Sequence, residues 1–353
     1  MKKLLSILLA ALMLGAIFAT TTLAFNFCYE DAFATLKEVV AEFNQSHGGT
    51  GELIATAEGS GEYLRLRITG EIVGVTRGIT FPSAGVPIVW QARLSGDTQN
   101  GEALVTAPQL IVETGGEIIA SDRAIEGTIV QVNGGLIVGQ QAIYSDGHIT
   151  ISSGMVSGDL TQRGMQLNIE SGVVEGSISL NPDVPLNIFG GMVSAPFIDA
   201  GWRVCIENDA QVKIEDITGL ENSWVSIAST ASTNFEDRLN NVVLQIDDVA
   251  IVLGSATLDY GFFEIESQQT LYIPRDASLT IKSMLHLNEG TVVIDGTLIL
   301  PEYFNPRDWN GYITGDNSGD LAGSWPRPLS WWQRLPNWIQ WVLRWVFFGW
   351  IWM

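Results

Sequence analysis

Four stretches of this chain repeat one pattern at a nearly constant spacing, and this repeat constrains the fold more than any other feature. Residues 130–137, 149–156, 167–174 and 186–193 each read apolar, polar, apolar, variable, Gly or Ser, Gly, apolar, branched apolar. Their second glycines are Gly135, Gly154, Gly172 and Gly191, and Gly116 opens the series with one residue inserted before it. Alternating apolar residues turn one face of a strand inward. The Gly step permits a sharp turn at positive φ. Small residues four places later (Gly139, Gly158, Gly176, Ala195) suit a second bend. A unit of about nineteen residues cannot close a core alone, but stacked units bury a continuous one.

The expected fold is therefore all-β: a parallel β-helix, or β-solenoid, right-handed by preference because the left-handed hexapeptide signature is absent. Rungs are expected over 49–304, clearest over 109–212, with a looser copy from Val204 to Val212. From Asn241 to Leu300 short branched strands continue without a strict period. The polar stretch 222–241 reads as an excursion loop. Between the inward positions, Gln131, Thr150, Asn168 and Asn187 form an outward polar ladder, the candidate binding surface.

The ends differ in composition. Residues 1–24 read as a signal peptide, with Lys2 and Lys3 before an apolar run to Phe18 and a small residue at Ala24. An uncleaved membrane anchor is the alternative. Over 25–48, Tyr29, Phe33, Leu36, Val40 and Phe43 recur at helical spacing and predict a capping helix, with a partner-binding helix as the alternative. Residues 305–330 read as a linker. Eight of the twelve tryptophans lie between Trp325 and Trp352. Within 331–353, Gln333, Asn337, Gln340 and Arg344 align on one helical face, leaving Trp338, Trp341, Trp345, Phe348 and Trp350 as membrane contacts. The 17 residues from Asn337 make roughly 25 Å of helix, short of a hydrocarbon core of about 30 Å. An interfacial helix fits better than a span; a helix packed on the solenoid's end is the alternative.

Charge and cysteine content narrow the function. Without the leader, 16 basic residues face 39 acidic ones, a net −23, which disfavours nucleic acid as a partner. Cys28 and Cys205 are too few for a disulfide framework; whether they pair stays open. His47, His148 and His286 have no metal-ligand spacing. Between Gln109 and Ala200 the only basic residues are Arg123 and Arg163, and the carboxylates are scattered, which leaves room for weak Ca2+ binding and predicts no other cofactor. Asp247-Asp248 is similar to the paired-aspartate strand of polygalacturonase-type hydrolases, whose chemistry needs an acid and a water-activating carboxylate. No Asn-Thr-Asp precedes the pair and no Gly-His-Gly follows it.

The run from Gln141 to Gly158 (QAIYSDGHITISSGMVSG) resembles the repeats of exported Gram-positive surface proteins with pectate-lyase-like, non-catalytic β-helices. The run from Gly85 to Ser95 is similar to the coil that opens those solenoids, and Trp331–Met353 resembles their Trp-rich C-terminal segment. The resemblance implies export and a surface scaffold, adhesin or carbohydrate-binding module, with a glycan, a surface protein and the membrane surface as partners. It supplies no catalytic residues. The competing expectation is a polysaccharide-degrading enzyme, polygalacturonase- or pectate-lyase-like, using Asp247 and Asp248.

The tail reading is testable by fractionation. Burial of apolar surface is worth about 25 cal/mol per Å2, so a few buried tryptophans outweigh one arginine held at the interface. Full-length protein is expected in the membrane fraction, and protein truncated before Trp331 in the soluble fraction; identical partitioning overturns the anchor.

Overall fold

The structure, a computed structural model, describes residues 31–59, 63–98, 101–301, 310–315 and 321–322. The chain divides into two compact units, Met1–Asp247 and Asp248–Met353.

The first unit begins with a helix over 31–46. Its predicted apolar stripe is buried at Leu36, Val40 and Phe43. The helix stops where His47 and Gly48 follow. Gly48 takes φ +75°, and the buried His47 accepts the Gly49 N–H on Nδ1 at 2.9 Å, its ring 5.5 Å from Phe43. This histidine closes a helix. Asn44 then reaches the next strand, taking both the N–H of Leu53 (2.9 Å) and its carbonyl (2.8 Å) with its side-chain amide.

The first strand pair departs from the expected rungs. Strand Thr50–Glu58 runs antiparallel to Arg65–Val75, with Leu53 opposite Gly70. After this hairpin the strand pairing of the unit is parallel. Arg65–Val75 pairs with both Ile88–Trp90 and Arg93–Gly96, so one long strand serves two consecutive runs of the next coil.

Stacked columns then fill the interior, as the repeat predicts. Leu66, Ile88, Leu110 and Val130 lie in register, as do Ile149, Leu167, Leu186, Val204, Val225 and Leu244. All ten are buried. Val130 and Ile149 belong to one continuous strand, Arg123–Gln162, which carries its pairing around the bends. A second run aligns Ile72, Leu94, Ile118 and Ile137, then Val156, Val174, Val193 and Val212. A third aligns Ile79 with Val105 and Ile125, and Leu160 with Ile178 and Ile198. Each coil thus has three strand runs whose alternate side chains share one core. This is a parallel β-solenoid.

The turn glycines behave as the repeat requires. Gly135, Gly154, Gly172 and Gly191 all have φ between +77° and +91°. A Cβ on Gly172 would lie 2.8 Å from the carbonyl oxygen of Gly154, and one on Gly191 2.5 Å from that of Gly172. Successive turns are in backbone contact, so a side chain has no room there.

The expected excursion loop at 222–241 is a coil. Strand Trp224–Ile227 pairs with Arg203–Ile206 on one side and Val242–Ile246 on the other, and Trp224, Val225, Ile227 and Phe235 are buried. Its large apolar residues, Trp224, Val225, Ile227, Phe235 and Leu239, are scattered in a polar stretch, too sparse to show a period, yet all five are buried.

The second unit is built on the same plan. Ala250, Leu271 and Val292 lie in register, as do Ala256, Leu279 and Leu298, and Phe263 pairs with Leu285. Parallel pairing continues beyond residue 304: Asn310–Thr314 pairs with Met284–Ile294 and Leu321–Ala322 with Thr297–Ile299. The segment read as a linker therefore contributes strands.

Two adjacent residues test the alternation. Leu167→Ala is expected to lower the unfolding free energy by about 2–5 kcal/mol, the range for a buried leucine truncated in a core. Asn168→Ala should cost about 1 kcal/mol, one hydrogen bond. Urea midpoints at constant slope check both; equal losses would contradict the inward and outward phases.

Candidate functional site

Three of the four ladder residues, Thr150, Asn168 and Asn187, lie in register on the sheet that contains the first inward column. Thr150 lies beside Asn168, and Asn168 beside Asn187, while Gln131 sits beside Ile111. All four polar side chains are half-buried. Asn187 Nδ2 donates to Asn168 Oδ1 at 2.9 Å, a bond between coils. The side chains of Gln131 and Thr150 make no hydrogen bond among the described residues. Beside the ladder, Ser152 donates to Glu170 at 2.7 Å, and His148 stands next to Gln166. Neutral donors and acceptors therefore repeat at the strand separation, about 4.8 Å.

The column runs further than the repeat pattern indicated. Beyond Asn187 come Cys205, Ser226 and Gln245, in register. Cys205 is buried, and Arg203 Nε donates to its sulfur at 3.0 Å. Burial pushes the Cys205 thiol above its ordinary pKa, against the opposing pull of Arg203. Cys28 lies outside the described residues. Trp224 Nε1 donates to Gln245 Oε1 at 2.8 Å, so an indole takes up the last amide of the column.

The two aspartates singled out as candidate acids have different settings. Asp247 takes φ +51°, a left-handed conformation that Asp and Asn tolerate. Its Oδ1 accepts the Ser229 N–H of the preceding coil at 3.0 Å, and its carbonyl accepts Gln245 Nε2 at 2.8 Å. This carboxylate ties one turn to the next. Asp248 is exposed, and the boundary between the two units falls between the pair. Among the described residues no group of three or more His, Cys, Asp or Glu is placed to hold a metal ion.

A cluster that sequence reasoning missed lies in the second unit. Glu264 pairs in register with His286, and Phe262 with Met284. His286 Nδ1 lies 3.4 Å from Glu264 Oε1, which also accepts Asn288 Nδ2 at 3.1 Å. The Phe262 ring is 5.9 Å from the imidazole, and Phe262 and Met284 are exposed. The signal was present: Phe263 and Ile265 take the inward phase, which leaves Phe262 and Glu264 outside. An isolated histidine in a strand gave no reason to pair it with a glutamate 22 positions away.

In the first unit, an open cleft of about 470 Å3 lies between the helix and the coils, lined by Phe43, Arg77, Thr80, Glu102, Thr106 and Glu126 among others. Among the described residues no helix is long and apolar enough to cross a membrane. The tail residues Trp338, Trp341, Trp345, Phe348 and Trp350 lie outside the described residues. No protein-family model, curated protein or solved structure matches this chain.

Asp247 is the simplest residue to test. Asp247→Asn keeps both the left-handed preference and an acceptor for the Ser229 N–H. It should leave stability within about 0.5 kcal/mol of the parent. Asp247→Ala loses both and should cost about 1–3 kcal/mol. Thermal melts of the two variants check this; equal melts would remove the turn role.

Proposed function

We propose that this chain is a non-catalytic β-solenoid of the cell envelope that presents its outward polar columns to a glycan. The observation that carries the reading is the in-register row Thr150, Asn168 and Asn187, with Gln131 at the same place in the preceding repeat. Its side chains are half-exposed, uncharged and repeated from coil to coil. A sugar chain offers hydroxyl groups along its length, and hydroxyls pair with amide and hydroxyl side chains in both donor and acceptor roles. A rigid backbone under those side chains reduces the ordering cost of binding. The net charge of −21 keeps such a surface soluble and disfavours densely anionic polymers.

The reading is supported by the leader-like segment at Lys2-Lys3 and by the resemblance to exported surface proteins, which are consistent with a solenoid near wall polysaccharide and a Trp-rich tail at the membrane boundary. The turn role of Asp247 favours a binding surface over hydrolysis, because its carboxylate already serves a backbone N–H.

The decisive experiment is binding of the purified protein to a glycan array, with Gln131→Leu/Thr150→Val/Asn187→Ala as the variant. Each lost hydrogen bond is worth about 1 kcal/mol, so at least a tenfold loss of affinity is expected, with stability lowered only by the lost Asn168–Asn187 bond, about 1 kcal/mol. Equal affinity in variant and parent overturns the ladder. Release of reducing ends or unsaturated sugars from pectic substrates, abolished by Asp247→Asn/Asp248→Asn, overturns the non-catalytic assignment.

A further inference from the structure

The first unit also collects its scarce positive charge. Arg123 and Arg163 are the only basic residues between Gln109 and Ala200, yet both guanidinium groups lie over one ring. The guanidinium carbon of Arg123 is 5.2 Å from the Tyr144 ring centroid, and that of Arg163 is 5.3 Å. The three residues come from consecutive coils. Gln141 N–H bonds the Asp122 carbonyl at 3.0 Å, and Arg163 N–H bonds the Ser145 carbonyl at 2.8 Å. The tyrosine thus stands in the middle coil, with one arginine from the coil before it and one from the coil after.

The two cations are not equally engaged. Arg123 donates to Glu126 at 2.8 Å and to Gln141 at 2.6 Å, and Gln141 in turn donates to Thr161 at 3.0 Å. Arg163 is exposed, and none of its side-chain donors meets a carboxylate among the described residues, in a chain with 39 acidic residues. The hydroxyl of the half-buried Tyr144 likewise has no hydrogen-bond partner among the described residues. The cation lies over the ring, a contact that does not use its N–H donors. What remains is a planar set of donors beside a phenol, held by two neighbouring coils and lacking an acceptor.

We propose that Arg163 and Tyr144, beside the ion-paired Arg123, form a subsite for a single oxyanion (carboxylate, sulfate or phosphate) carried on an otherwise neutral glycan. This rests on the glycan reading and adds the chemical class of the sugar. A guanidinium fork matches the geometry of an oxyanion in a way that an ammonium does not. The overall negative charge sets the other limit: a densely charged polymer is repelled, whereas one anion among neutral sugars meets the local cations. The Gln141–Thr161 pair stands beside the site with polar atoms for neighbouring hydroxyls.

The test uses the full chain on an array of matched oligosaccharides: neutral, and carrying one sulfate, one phosphate or one carboxylate. Inorganic sulfate and phosphate are titrated in parallel. The parent is expected to bind at least one of the charged sugars tenfold or more tightly than its neutral match. Arg163→Gln should bring that ratio close to one without changing neutral binding, Arg163→Lys should restore part of it, and Tyr144→Phe should reduce it. Arg163 is exposed, so unchanged circular dichroism and melting temperature are expected for these variants. Neutral binding with no preference for charge, or a preference that survives Arg163→Gln, overturns the subsite and leaves the glycan reading intact. Binding of inorganic anions without any sugar overturns the glycan reading instead. Binding of neither overturns both.

Discussion

Backbone meets backbone at the repeated glycine turns of the first unit, and the rest of its architecture depends on that contact. A Cβ on Gly191 would lie 2.5 Å from the carbonyl of Gly172, and one on Gly154 2.6 Å from the carbonyl carbon of Gly134. With glycine there, each coil can repeat the path of the last at hydrogen-bonding distance. The same path puts leucine over leucine inside and asparagine over asparagine outside. Columns are therefore a consequence of the turn. The inward columns supply the hydrophobic burial, and the outward ones supply whatever chemistry the surface has.

The inward columns and their glycines were legible because a period of about nineteen residues is visible wherever the coils keep equal length. Where coil length varies, the period blurs while the columns persist. The coil containing Trp224, Val225 and Ile227 was hidden this way: its inward residues sit among polar neighbours, and 21 residues separate Val204 from Val225 instead of 19. The opening hairpin was hidden for another reason. Alternation in Thr50–Glu58 specifies a strand but carries no information about direction, and direction is decided by a short connection around Gly59.

The candidate surfaces divide along the same line. The ladder from Gln131 to Asn187 followed from the repeat, because each residue holds the same place in its unit. The grouping of Arg123, Tyr144 and Arg163 did not, since it depends on how far a long side chain reaches across coils. Glu264 and His286 were concealed likewise. Register also organises charge elsewhere on the first unit: Glu71, Arg93 and Glu117 are successive partners, joined at 3.1 and 3.0 Å. Such exposed pairs contribute little each, about 0–1 kcal/mol, but they keep carboxylates from facing one another across adjacent coils.

The hairpin at the start of the coils has a consequence for assembly. A parallel stack is a template, since each finished layer offers the next the same unpaired edge, and a second molecule's layer could be added as readily as its own. Here the strand facing outward at that end, Thr50–Glu58, runs in reverse, and Asn44 already occupies the peptide groups of Leu53. An incoming layer of the same polarity finds neither a matching direction nor a continuous row of free N–H and C=O groups. Among the described residues, one reversed strand and one amide side chain close this end of the stack to a further parallel layer.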